Sequence, residues 1–167
     1  MVLLALFTAI ALTIFVLESL VPPPLPIPGV KLGLANVITL ILLCCMRPSD
    51  ALTVLLLRIL LGSIFTGQMV SFSYSLAGGV LCFLVMWGLL KLLNRRFIPL
   101  VSIFGALAHN IGQIMIAILM TSTPGVIAYL PILMISGAAT GLFTGFCAQV
   151  ANHYVKKIFI LPNASDL

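Results

Sequence analysis

The sequence is short of charge, and of acid most of all. Of 167 residues only 7% are Asp, Glu, Lys or Arg, and the acids are Glu18, Asp50 and Asp166. A soluble domain carries about 25% charged residues, so this chain lacks the polar residues to cover a water-facing surface. With 62% hydrophobic residues and a mean hydropathy of +1.32, it reads as an integral membrane protein with no separate soluble domain. The missing acids also weigh against catalysis. Mg²⁺-dependent prenyl transfer or phosphate hydrolysis wants clustered carboxylates, and no two acids lie close in this sequence. A Gly-rich phosphate loop followed by Lys and Ser/Thr is lacking, as is a Ser nucleophile elbow. These gaps point to a carrier or binding subunit rather than an enzyme, with any energy supplied by another protein.

Cysteine is sparse as well. Cys44, Cys45, Cys82 and Cys147 all sit inside apolar runs, without metal-site spacing, where thiols usually pack as small hydrophobes. No metal, disulfide or cofactor is implied. The net charge of +5 comes from basic residues scattered among short loops, so it encodes membrane orientation rather than a nucleic-acid surface. The N-terminus lacks the basic n-region and the cleavage pattern of a secretory signal, so the first apolar run is expected to remain as a span.

Spans of about 20 residues joined by short turns predict a compact all-α bundle of six transmembrane helices in one domain. They run approximately over 2–20, 33–46, 51–66, 72–93, 98–121 and 127–155. The break between the second and third lies at Arg47-Pro48-Ser49-Asp50, where Ser or Asp is the expected cap. Alternating the loops places Arg47, Lys91, Arg95, Arg96, Lys156 and Lys157 on one side and Lys31 alone on the other. By the positive-inside rule both termini are then cytoplasmic, in a multi-pass protein of a bacterial cytoplasmic membrane.

Between the first two spans lies Glu18-Ser19-Leu20-Val21-Pro22-Pro23-Pro24-Leu25-Pro26-Ile27-Pro28-Gly29-Val30-Lys31, with five prolines in seven residues. Proline lacks an N–H and fixes φ, so this loop is stiff and extended rather than helical. It reads either as a lid over a binding site or as a protease-resistant connector. Small residues that allow close helix approach fall four apart in two places. Ala5, Ala9 and Thr13 form a face of the first span, available to a partner protein; Gly137, Gly141 and Gly145 in the sixth suit packing within the bundle.

Ionisable groups at membrane depth are costly and mark functional sites by default. Arg58 lies near the middle of the third span, His109 near the middle of the fifth and Glu18 near the outer end of the first. A guanidinium stays charged and needs a partner; Glu18 or an anionic ligand are the options. His109 and Gln113, four apart, share a helical face, and with Asn110 they offer donors and acceptors to a ligand. The plain alternative is a polar cluster that ties helices together.

Several stretches carry a resemblance: Glu18-Ser19-Leu20 before the proline loop, Pro28-Gly29-Val30-Lys31-Leu32-Gly33-Leu34-Ala35-Asn36, Leu57-Arg58-Ile59-Leu60-Leu61-Gly62, Ser75-Leu76-Ala77-Gly78-Gly79 and Ala108-His109-Asn110-Ile111-Gly112-Gln113. In this order, over nearly the whole chain, they resemble the Gx transporter family, often labelled heptaprenyl diphosphate synthase component I. That family is similar in turn to the substrate-binding S components of energy-coupling factor (ECF) vitamin transporters, which are six-helix proteins with both termini inside. The resemblance implies that Ala5 and Ala9 dock on an ECF coupling subunit served by ATPases. It implies further that the loop from Pro22 to Lys31 closes over a small-molecule substrate, in a site lined by Glu18, Asn36, Arg58, His109 and Gln113. On this reading Arg58 and Lys31 neutralise a small anionic or amphiphilic metabolite, such as a vitamin or a prenyl or quinone precursor, and His109, Asn110 and Gln113 orient it. A stand-alone secondary carrier and a non-catalytic membrane subunit of polyprenyl diphosphate synthesis are the other classes.

Overall fold

The computed structural model describes residues 2–20, 31–67, 69–93 and 97–159, the last four of these by backbone alone. The proline loop up to Val30, with its lid reading, and Arg95 and Arg96 lie outside the described residues. What is described is helical: α1 (Val2–Leu20), α2 (Asn36–Cys45), α3 (Pro48–Thr66), α4 (Met69–Leu92), α5 (Ile98–Thr121) and α6 (Leu130–Phe159), with no strand among the described residues. A 3₁₀ segment, Pro124–Tyr129, leads directly into α6. Helices suit an apolar chain because they satisfy every backbone N–H and C=O internally, which lipid cannot do.

Five segments are long and apolar enough to cross a membrane; α2, with 10 residues, is not. At 1.5 Å per residue α2 is about 15 Å long, half a hydrocarbon core. This departs from the expected span over 33–46, and the reason is its position. α2 runs up the middle of the bundle and touches α1, α3, α4, α5 and α6. Successive residues Leu40, Ile41 and Leu42 are all buried, as befits a helix enclosed on every side. A helix walled by protein has no lipid thickness to match. The irregular stretch above it is tolerated at depth because other helices cover it.

Two further boundaries differ from expectation. α3 begins at Pro48 rather than 51, with Arg47 in the cap position, extended (ψ 147°) and without a side-chain cap bond. Proline fits the first helical position, where its missing N–H would have had no partner. Asp50 lies in the first turn rather than at the cap, and there it favours the helix dipole. α4 begins at Met69, closely following α3 after Gly67, whose φ of 66° permits the sharp reversal.

The apolar core fills the end of the bundle where α2 finishes and α3 starts. Leu40, Leu42, Ala51, Leu55, Ile59, Val54 and Val101 are at most 1% exposed there, alongside Met86 and Ile98. Gly137, Gly141 and Gly145 pack against α5: a Cβ on Gly141 would come within 2.8 Å of Ile103 Cα, and one on Gly145 within 2.6 Å of Pro99 Cα. Ser102 and Thr144 hydroxyls meet across the same seam at 3.0 Å. This glycine stripe therefore serves packing within the bundle. Ala5, Ala9 and Thr13, by contrast, are exposed along α1, and the Thr13 hydroxyl bonds back to the Ala9 carbonyl at 2.9 Å.

Candidate functional site

The opposite end of the bundle, where α1, α3 and α5 finish and α2 and α4 begin, is built differently. Near the C-terminal end of α1, Phe15 and Glu18 are three residues apart and so share a face; both are buried. The chain is next described at Lys31, and residues 31–33 carry no regular structure before the turn into α2. Gly33 adopts φ +79°, and a Cβ there would lie 2.8 Å from Asn36 Nδ2 and 2.9 Å from His109 Cδ2. Only glycine fits both the backbone and the space. The Gly33 N–H donates to Glu18 Oε1 at 2.5 Å, which pins the irregular stretch to α1. The first N–H groups of α2 are met by the turn before it: Asn36 N–H donates to Gly33 O at 3.0 Å and Val37 N–H to Leu34 O at 3.1 Å.

Asn36, the first residue of α2, accepts a bond from Arg58 Nη2 at 2.9 Å through Oδ1. Arg58 is 3% exposed, about 12 Å below the end of α3 at 1.5 Å per residue. Arg58 and Glu18 share one niche, and each takes a different direct partner. Their attraction acts across the niche rather than as a direct ion pair. The expected pairing of Arg58 with Glu18 is thus electrostatic, and Asn36 supplies the bond. The Lys31 ammonium lies 3.5 Å above the centre of the Phe15 ring, a cation–π contact. From α5, His109 closes the niche, and its Nε2 meets Gln113 Nε2 at 2.8 Å. The imidazole tautomer sets which of the two side chains donates.

The niche is lined by Phe15, Glu18, Lys31, Gly33, Asn36, Arg58, Ser75 and His109, around a cavity of about 10 Å³, the size of one water. Lys31, Asn36, Arg58 and His109 are each at least nine-tenths buried. Lys31 Nζ, Asn36 Nδ2, Arg58 Nε and His109 Nδ1 have no hydrogen-bond partner among the described residues. The result is a donor-rich site with a single carboxylate. Burial pushes the Lys31 ammonium down to about 8; Glu18 pulls it up and Arg58 adds to the depression.

Of the residues singled out in the sequence, Glu18, Lys31, Asn36, Arg58 and His109 come together. Gln113 stands behind His109 and orients it. Asn110 is placed elsewhere: its Nδ2 donates to Leu133 O on α6 at 2.5 Å, away from the cavity. Phe15, Gly33 and Ser75 join the niche without having been anticipated as lining residues. The spacing of Phe15 from Glu18 is the signal that was available for one of them.

A bundle of helices long and apolar enough to cross a membrane defines a membrane-embedded protein. The chain belongs to the heptaprenyl diphosphate synthase component I family, whose family model matches residues 7–151. Every niche residue falls inside that match, and Ala5 falls outside it. No curated protein and no solved structure matches the chain.

Proposed function

We propose that this protein is the membrane-embedded substrate-binding component of an ECF-type, ATP-driven importer that captures a small anionic or amphiphilic metabolite. The observation that carries this reading is the niche itself. Two buried cations surround one carboxylate, with several donors left without a partner among the described residues; this costs stability and exceeds what the Arg58–Asn36 and Glu18–Gly33 ties need. The niche lies towards the end of the bundle that holds Lys31, opposite Arg47 and Lys91; on the positive-inside rule that end is external and both termini are cytoplasmic. The exposed Ala5, Ala9 and Thr13 face then lies nearer the cytoplasm, where a coupling subunit would meet it.

Coexpression with the host's coupling subunit and two ATPases tests this reading. Copurification with the wild-type chain, lost in an Ala5→Leu, Ala9→Leu double variant, is the expected result. Bulky side chains on that face block close approach while leaving the helix insertable. Failure of the wild type to copurify would remove the importer reading. The family's name favours a second one, a non-catalytic membrane subunit of a prenyl diphosphate synthase. Among the described residues no group of three His, Cys, Asp or Glu could hold a metal, so catalysis would reside in a soluble partner. That partner would copurify, and the niche would bind nothing.

A further inference from the structure

The composition of the niche also constrains the ligand's head group, on the premise that the niche is the binding site proposed above. With the imidazole of His109 counted as neutral, the charges of Arg58, Lys31 and Glu18 sum to +1. Three lining residues carry polar atoms with no partner among the described residues, and all three atoms are donors: Lys31 Nζ, Arg58 Nε and Asn36 Nδ2; His109 turns its Nδ1 edge to Gly78 on α4. Glu18 is already engaged by the Gly33 N–H. The start of α2, with the positive end of its dipole, adds to the same sign. We infer that the niche takes one compact monoanionic group, a carboxylate, and not a phosphate or diphosphate.

A carboxylate is acceptor-only, with about four lone-pair directions, and so can meet the free donors of Lys31, Arg58 and Asn36 without needing an acceptor in return. It also brings the single negative charge that makes the buried cluster neutral. A diphosphate would leave the cluster strongly negative in a low-dielectric site, which is costly. It would also need far more room than a water-sized cavity of about 10 Å³. A carboxylate also exceeds one water, but by far less than a diphosphate, and so asks the smaller displacement of the Lys31 side chain, which rests on Phe15. The diphosphate head group that the family's name suggests is therefore the one that these residues disfavour.

The test uses the full chain in zwitterionic lipid nanodiscs at pH 7, titrated with acetate, inorganic phosphate, pyrophosphate or methylammonium at matched chloride ionic strength. The thermal midpoint is the readout. Acetate should raise it in a saturable way, and the other three should not. Arg58→Gln and Lys31→Met should each weaken acetate by about tenfold or more, the loss of one charge-assisted bond. Glu18→Gln keeps an acceptor for Gly33 while removing the negative charge, so it should tighten acetate and begin to admit phosphate. Lys31→Met, at the edge of the niche, keeps the test valid even where Arg58→Gln folds poorly. A larger response to pyrophosphate than to acetate, no response to any anion, or an acetate response that survives Lys31→Met overturns the inference. Copurification with the coupling module, read on the same preparations, reports separately on the importer reading.

Discussion

The two ends of α2 obey different rules. Its C-terminal half, Leu40 to Cys44, sits among Leu55, Ile59, Met86 and Val101, with apolar atoms on every side. Its first residue, Asn36, faces Arg58, Gly33 and His109, with polar atoms left unpartnered. A single ten-residue helix thus joins a region packed with apolar atoms to one where polar atoms lack a partner among the described residues. The contrast teaches where function resides: a bundle that needed only to fold would have continued the apolar core to its other end. A buried ionic cluster is often no more stable than an apolar filling of the same volume.

The sharpest way to break the contrast is to remove one charge and then the other. Arg58→Ala should cost about 3–5 kcal/mol, because it strips Asn36 of its donor and leaves the buried Glu18 charge without the cation that offsets it across the niche. Glu18→Gln with Arg58→Met should regain most of that loss, since neither charge remains, while anion binding is abolished. Unfolding of nanodisc-reconstituted variants would show it. A double variant no more stable than Arg58→Ala would mean that the cluster is structural after all.

The core end should respond in the opposite manner. Leu55, fully buried and packed against Gly79, should lose about 3 kcal/mol on substitution by alanine, through lost burial and the cavity left behind. The protein that remains folded should bind ligand as before. If Leu55→Ala altered affinity in the folded fraction, the two ends would not be separable.

How far this division could be read from the sequence depends on which property each residue carries. Glu18, Lys31, Arg58 and His109 stand out because charge and imidazole are rare in a chain with 7% charged residues, so their gathering was legible despite their separation. Phe15 and Ser75 carry nothing unusual in an apolar bundle; only the fold gives them a role. The bounds of α1 and α5 follow from long apolar runs with polar or proline-rich breaks. Those of α2 do not, because a helix enclosed by protein is freed from the membrane's length. Asn110 shows a finer limit. Consecutive residues on a helix point about 100° apart, so His109 facing α4 and the niche obliges Asn110 to face α6.

That geometry gives a smaller test. Asn110→Ala removes the bond to Leu133 O and should cost about 1 kcal/mol, near the usual worth of a bond between membrane helices, with no change in anion affinity. Gln113→Leu, one turn along the same helix, should do the reverse. It leaves the fold nearly as stable but frees the His109 ring to turn, so anion affinity falls. Equal effects of the two on binding would return both to the role of helix ties.

The least disruptive way to sharpen the comparison changes no residue. Lys31 faces Glu18 from α1, Arg58 from α3 and His109 from α5, and burial brings its ammonium to about 8 from 10.5. Below about pH 8 it is charged in both the folded and unfolded chain, and the folded form bears the burial cost in full. Between 8 and 10.5 the folded protein releases the proton that the unfolded chain keeps, so stability of the ligand-free protein rises with pH. Anion binding runs the other way. Above pH 8 the free niche must take up a proton to restore the ammonium, and acetate affinity should fall by up to about tenfold per pH unit until the bound form also titrates. Thermal midpoints and acetate titrations from pH 7 to 10 should therefore move in opposite directions, and Lys31→Met should flatten both. Acetate affinity that stayed level across that range in the wild type would place Lys31 outside the ligand's contacts and leave Arg58 as the anion's one cationic partner.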